Sequence, residues 1–64
     1  SRVELVLTTP KSKYDMSSSM IDSYKSALEM FIPYFKQQLD IPRSVTMVGI
    51  LKDSKGRELS KVSK

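Results

Sequence analysis

The chain has 64 residues, a formal net charge of +4, and neither cysteine nor histidine. Its length limits it to one domain with a thin core, since a chain of this size buries roughly 60% of its unfolded surface. The composition excludes disulfides, thiolate zinc sites and imidazole chemistry, and the scattered carboxylates form no oxygen cage, so we expect neither a metal nor a cofactor.

Residues 2–8 (RVELVLT) predict the first strand. Val3, Leu5 and Leu7 share one face at a period of two, which is typical of a strand packed on one side. Pro10 lies in the polar stretch that follows and removes a backbone donor, so the strand ends before it and a loop begins.

A long amphipathic helix is predicted over 18–40, before Pro42. Its apolar residues recur at steps of three and four: Ile21, Tyr24, Leu28, Phe31, Phe35 and Leu39. Ser17 to Ser19 offer N-caps, and Ser19 with Asp22 resembles a capping box. Pro33 lies within the pattern and predicts either a kink or a split into two helices. We expect a kink, because Ile32 would be a poor N-cap for a second helix.

The remaining residues predict two strands joined by a turn. Residues 44–51 are apolar on both faces, which favours a central strand, and Gly49 indicates a bulge or a close approach by the helix. The turn covers 52–56, with Gly56 in the left-handed position. Residues 57–62 predict a weak edge strand on which Lys61 would resist aggregation.

These elements predict one small α/β domain of the α+β kind, spanning 1–64, in the order β-α-β-β. Its three-stranded mixed sheet carries the kinked helix on one face, and the other face is uncovered. No apolar run reaches the roughly 18 residues of a membrane span, and no signal peptide is recognisable, so we expect a cytoplasmic protein that does not contact membranes.

No known catalytic motif occurs in the sequence, so we expect no enzymatic activity. The first functional hypothesis is a protein-interaction module, by analogy with small accessory or viral inhibitor proteins. Its partner would be another protein or a second copy in a homodimer. The candidate contact residues lie off the main helical stripe or on the uncovered sheet face: Met30, Ile32, Tyr34, Val48 and Ile50.

Two further hypotheses remain open. A nucleic-acid-binding domain would use cations of the loop 11–14 and the hairpin 52–64 on phosphates, with one tyrosine for stacking. Its candidate residues are Lys11, Lys13, Tyr14, Lys52, Lys55, Arg57 and Lys61. The third hypothesis is an N-terminal scaffold fragment of a larger enzyme, because the core is thin and the last strand is weak.

Overall fold

The computed structural model describes residues 2–64, so Ser1 of the predicted domain lies outside it. The chain forms β1 (Arg2–Thr8), a 3-10 turn (Lys13–Asp15), α1 (Ser18–Gln38), β2 (Thr46–Lys52) and β3 (Glu58–Ser63). This confirms the predicted β-α-β-β order with one helix against a three-stranded mixed sheet. The first strand has the predicted bounds. β2 begins two residues later and ends one residue later than predicted, and β3 is shifted by one residue at both ends. α1 begins where predicted but ends two residues earlier, at Gln38.

The sheet has the order β1-β2-β3, with β2 in the centre. β1 pairs with β2 in parallel and in regular register from Arg2–Thr46 to Thr8–Lys52. β3 returns antiparallel to β2, with an irregularity at Leu51 and Lys52. The bulge predicted as one alternative for Gly49 therefore occurs two residues later, beside the turn.

Gly49 is instead a place where α1 approaches the sheet closely. A side-chain Cβ at this position would lie 3.0 Å from Ile32 Cδ1 and 3.3 Å from Leu28 Cδ2. Both side chains are fully buried. The absence of a side chain on the central strand thus lets one turn of the helix settle onto the sheet.

The buried face of α1 differs from the predicted stripe. Leu28 and Ile32 are 0% exposed, whereas Phe31 is 41% exposed and Leu39 63% exposed. The prediction that Ile32 stands off the principal stripe is wrong, because the helix rotates to place Ile32 over Gly49. The sequence pattern was ambiguous because steps of three and of four from Leu28 both reach a large apolar residue.

Ser17 caps the N-terminus of α1, where its side-chain oxygen accepts a hydrogen bond from the Met20 N–H at 3.3 Å. The predicted pairing of Ser19 with Asp22 as a capping box is therefore wrong, because the helix begins two residues earlier. The helix continues through Pro33 as one element, so it does not split. The kink itself stays a prediction.

The helix ends in a Schellman motif that requires a left-handed residue. Asp40 has a φ of 54°. The Asp40 N–H donates to the Gln37 carbonyl at 3.3 Å, and the Ile41 N–H donates to the Lys36 carbonyl at 2.9 Å. Glycine is the usual residue at this position, and aspartate is one of the few others that tolerate it.

The sheet face opposite α1 carries the other two predicted contact residues on β2. Val48 is 3% exposed and Ile50 7% exposed, since side chains of the strands on both sides flank them. They lie on the predicted face, but they present almost no surface to a partner.

Candidate functional site

The β2–β3 turn is organised by the carboxylate of Asp53. Its Oδ1 accepts hydrogen bonds from the backbone N–H groups of Lys55 at 2.9 Å and Arg57 at 2.7 Å. The Gly56 N–H donates to the Asp53 carbonyl at 3.0 Å, and Gly56 has a φ of 84°. Aspartate at the start of a turn satisfies the turn's own N–H groups in this way.

The same carboxylate joins this turn to the loop before α1. Asp53 Oδ2 accepts a hydrogen bond from the Lys13 N–H at 2.8 Å and a second from Arg57 Nη1 at 3.2 Å. The Ser54 N–H donates to the Lys11 carbonyl at 3.0 Å. We name the two segments held together here, residues 11–15 and 52–57, the loop junction.

The chemical state of Asp53 follows from this environment. Burial of the side chain would raise the pKa of the carboxyl, but the backbone N–H groups of Lys13, Arg57 and Lys55 and the Arg57 guanidinium lower it. The hydrogen bonds prevail, and the pKa falls from 3.8 to about 2. Asp53 is therefore a charged structural anchor with both oxygens occupied, which makes it unsuitable as a general base.

Tyr14 and Arg57 form a second contact across the loop junction. The Arg57 guanidinium carbon lies 5.1 Å from the centre of the Tyr14 ring, within the range of a cation–π contact. Tyr14 is nevertheless 80% exposed. Arg57 therefore has two intramolecular partners, while the Tyr14 ring keeps most of its surface in solvent.

The loop junction brings together most of the residues predicted to bind nucleic acid. These are Lys11, Lys13, Tyr14, Lys52, Lys55 and Arg57, which all lie at the end of the sheet where β1 and β2 terminate. Lys61 lies elsewhere, since it pairs with Ile50 along β3. The sequence predicts Asp53 as an early residue of the turn before Gly56, but it gives no sign of the hydrogen bond to Lys13 that joins the two loops.

A second group of cations lies at the other end of β2. Lys36, Arg43 and Lys64 line a groove of about 640 Å³ together with Ile32, Pro33, Gln37 and Ile41. The two cation groups are separated by the length of β2, on the order of 20 Å. Eight of the eleven cations of the chain thus lie in two groups at opposite ends of β2 rather than on one face, five in the loop junction and three in this groove.

The largest exposed apolar side chains of α1 form a strip along one side of the helix. Met30 is 71% exposed, Phe31 41% and Tyr34 56%. Together with Phe35 they line a groove of about 340 Å³. Phe35 makes edge-to-face contacts with Tyr34 at 5.4 Å and with Phe31 at 6.2 Å between ring centres. We name these four residues, Met30, Phe31, Tyr34 and Phe35, the apolar strip.

The apolar strip lies on the side of α1 that is turned away from β3. Lys36 marks the opposite side, since its Nζ donates to the carbonyl of Lys64, directly after β3, at 3.4 Å. Phe31 and Tyr34 lie roughly 140–160° around the helix from Lys36. Relative to Ile32, which faces the sheet, Phe35 and Phe31 lie roughly 60° and 100° around the helix on the β1 side, whereas Tyr34 and Met30 lie about 160° away. The apolar strip therefore extends from the β1 side of α1 to its outer face.

The face of β1 below the apolar strip is only partly covered. α1 packs mainly on β2 and β3. Val3, Leu5 and Leu7 point to the helix side, in register with Met47, Gly49 and Leu51, yet they are half-buried. One helix of about 10 Å covers roughly two strands spaced about 4.8 Å apart, so the third strand stays open. The apolar strip and this face of β1 form the lateral apolar surface.

No group of three or more histidine, cysteine, aspartate or glutamate side chains lies close enough within residues 2–64 to hold a metal ion. Over the same range, no helix has both the length and the hydropathy of a membrane span. Comparison of the chain with known protein families, curated proteins and solved structures gives no match.

Proposed function

We propose that this chain is a protein-interaction module that binds a protein partner through its lateral apolar surface. The observation that carries the proposal is the exposure of Met30, Phe31 and Tyr34 side by side on α1. Methionine and aromatic residues are enriched in protein interfaces, and tyrosine is frequent among the residues that dominate binding energy. A contiguous apolar patch on a small domain is a common mark of an interaction surface.

The aromatic contacts within the apolar strip support the same function. Phe31 and Tyr34 each make an edge-to-face contact with Phe35 on a helix that is capped at both ends. Side chains that already have a neighbour to pack on lose less conformational entropy when a partner covers them.

Site-specific photocrosslinking tests the proposal. We would replace Tyr34 with p-benzoylphenylalanine, irradiate the chain in its native cell extract, and separate the adducts by mass. Tyr14 is the matched control, because it is a more exposed tyrosine at the loop junction. Adducts formed from position 34 and absent from position 14 support the proposal, whereas equal labelling or no adduct at either position contradicts it.

We also propose nucleic-acid binding at the loop junction as a second function, favoured by the hydrogen bonds that gather five cations and exposed Tyr14 there. It ranks second because Arg57 is engaged internally and the other cations lie at the far end of β2. The test is binding of a fluorescent single-stranded oligonucleotide at increasing salt concentrations. Replacing Lys13 and Lys55 with Gln should weaken binding and reduce the salt slope by about two. The same change at Lys36 and Lys64 is the control, and equal effects of both pairs would contradict a junction site.

A further inference from the structure

The outer edge of β1 has few of the features that usually prevent strand-to-strand association. β1 lies at one edge of the sheet and pairs regularly over all seven residues, from Arg2 to Thr8. It contains no lysine, no proline and no bulge. β3, at the opposite edge, has Lys61 and a register shift in its pairing. A long, regular, largely apolar edge strand exposes unpaired N–H and C=O groups and is a template for another strand.

We propose that a second copy of this chain pairs antiparallel with β1, with Leu5 of one copy opposite Leu5 of the other. The proposal rests on the proposed function, because it names the partner of the lateral apolar surface. The two sheets would join into one of six strands around a two-fold axis, with both helices on the same face. Main-chain hydrogen bonds would supply affinity, and side-chain pairs would set the register.

The β1 sequence is self-complementary in this register. On the helix side, Val3 of each copy faces Leu7 of the other, on either side of the central leucine pair. On the opposite face, Glu4 faces Val6 of the other copy. A shift that places the axis one residue earlier brings two Glu4 carboxylates opposite each other, and like charges directly opposite are destabilising. A shift one residue later shortens the paired segment, since Val3 then faces a residue beyond the strand.

The position of α1 fits the same axis. Leu5 pairs with Gly49, and Gly49 is where Ile32 and Leu28 contact the sheet. The two-fold axis therefore passes at the level of this helical turn, so Phe31 of one copy faces Phe31 of the other. Because α1 packs on β2 and β3, about four strand spacings of about 4.8 Å separate the helix axes by roughly 19 Å. Helices in direct contact lie only about 8–10 Å apart, so only a large side chain that points to the β1 side, such as Phe31, can reach its copy across the gap.

The charge distribution permits this contact. Each chain has a net charge of +4, but Arg2 and Glu4 cancel within β1 and form an ion pair at 3.1 Å. The four residues of the apolar strip are uncharged. The two cation groups lie beyond the ends of the paired strands, where solvent and salt screen their mutual repulsion.

Sedimentation velocity over roughly 1–500 µM protein tests the proposal. We expect a monomer–dimer equilibrium in the wild-type chain and a weakening of at least tenfold when Phe31 and Tyr34 are both replaced by Ser. The register is tested by a matched pair at one position, Val6→Lys and Val6→Glu. Both remove the same exposed side chain, but only lysine is complementary to Glu4 of the second copy. By symmetry each change acts twice, so we expect association to be at least about fivefold weaker for Val6→Glu than for Val6→Lys.

Circular dichroism of each variant verifies folding, so that loss of association is not mistaken for unfolding. A wild-type chain that stays monomeric over the whole range overturns the proposal, as does a dimer that responds equally to both Val6 variants. The photocrosslink at position 34 separates this failure from failure of the proposed function. An adduct of twice the chain mass supports a second copy. An adduct with a different protein, combined with a monomeric chain, keeps the interaction function and rejects the second copy.

Discussion

The carboxylate of Asp53 accepts a hydrogen bond from the Lys13 N–H at 2.8 Å, although the two residues are forty positions apart. This contact ties the loop that precedes α1 to the turn that follows β2. This contact therefore sets the positions of the exposed cations of the loop junction relative to one another, which neither loop would do alone. Any binding at the loop junction depends on this buried anchor.

Replacement of Asp53 by Asn should destabilise the domain. The side chain of asparagine has one acceptor oxygen where the carboxylate has two. Its amide N–H groups would lie against the Lys13 N–H or the Arg57 guanidinium, which are themselves donors. A buried donor without an acceptor is costly. We expect a decrease in Tm on the order of 10 °C for a domain of this size. Thermal denaturation followed by circular dichroism measures it. Asp22→Asn, an exposed change of equal charge, should shift Tm little, and similar shifts for the two variants would contradict the anchoring role.

The stabilising effect of Asp53 should depend on pH in a defined direction. Its pKa is lowered in the folded state from 3.8 to about 2. The stabilisation is therefore fully present above pH 3.8 and is lost as the pH falls through about 2. Urea unfolding of the wild-type chain and of Asp53→Asn at a series of pH values isolates this contribution, because other carboxyls titrate in both. The difference in unfolding free energy should be constant near neutral pH and shrink below pH 3.8, so a difference that grows on acidification would refute the assignment.

The spacing of the apolar residues and the positions of proline and glycine were sufficient to predict the order of the elements. Each of these signals acts locally, so it is visible in a single sequence. They are the alternation in residues 2–8, the helical period, Pro42 and Gly56. The rotation of α1 was not predictable in the same way. Phe31 and Ile32 both fit an amphipathic helix, and the lack of a side chain at Gly49, on another element, decides between them.

The candidate site was predicted in part, for a related reason. Clustering of cations in the two loops is visible in the sequence, because the residues are close along the chain. The role of Asp53 was not predicted, since a turn-forming aspartate is ordinarily exposed, whereas here the loop before α1 covers it. The exposure of the apolar strip was not predicted either, because it depends on which strands of the sheet the one helix covers.

Gly49→Ala should destabilise the domain through a specific clash with Ile32. The new methyl group would lie 3.0 Å from Ile32 Cδ1, which is too close for an unstrained contact. Overpacking of this kind costs typically 1–3 kcal/mol, and the reduced entropy of the unfolded chain offsets about 0.4–1 kcal/mol, so we expect a net loss of about 1 kcal/mol. Urea denaturation at fixed pH measures the loss.

The Ile32→Val background removes the clashing methyl group and provides the control for this prediction. Alone, this change should cost about 0.5–1.5 kcal/mol. Adding Gly49→Ala to it should cost less than in the wild-type chain, with a coupling of at least about 0.5 kcal/mol in a double-mutant cycle. Purely additive effects would mean that the close approach of α1 to Gly49 does not constrain the packing.

Asp40→Gly should stabilise the domain, because Asp40 occupies the left-handed position of the Schellman motif. Glycine adopts this conformation without a steric penalty, and the change also removes an anion from the C-terminal end of a helix, where the dipole disfavours it. We expect a gain of about 1 kcal/mol in the free energy of unfolding, measured by urea denaturation. Asp40→Asn removes the charge while keeping a side chain that tolerates the left-handed region, so it separates the two causes. A smaller gain for Asn than for Gly assigns the difference to the backbone, whereas a loss of stability for Asp40→Gly would show that the carboxylate makes a favourable contact that the helix end needs.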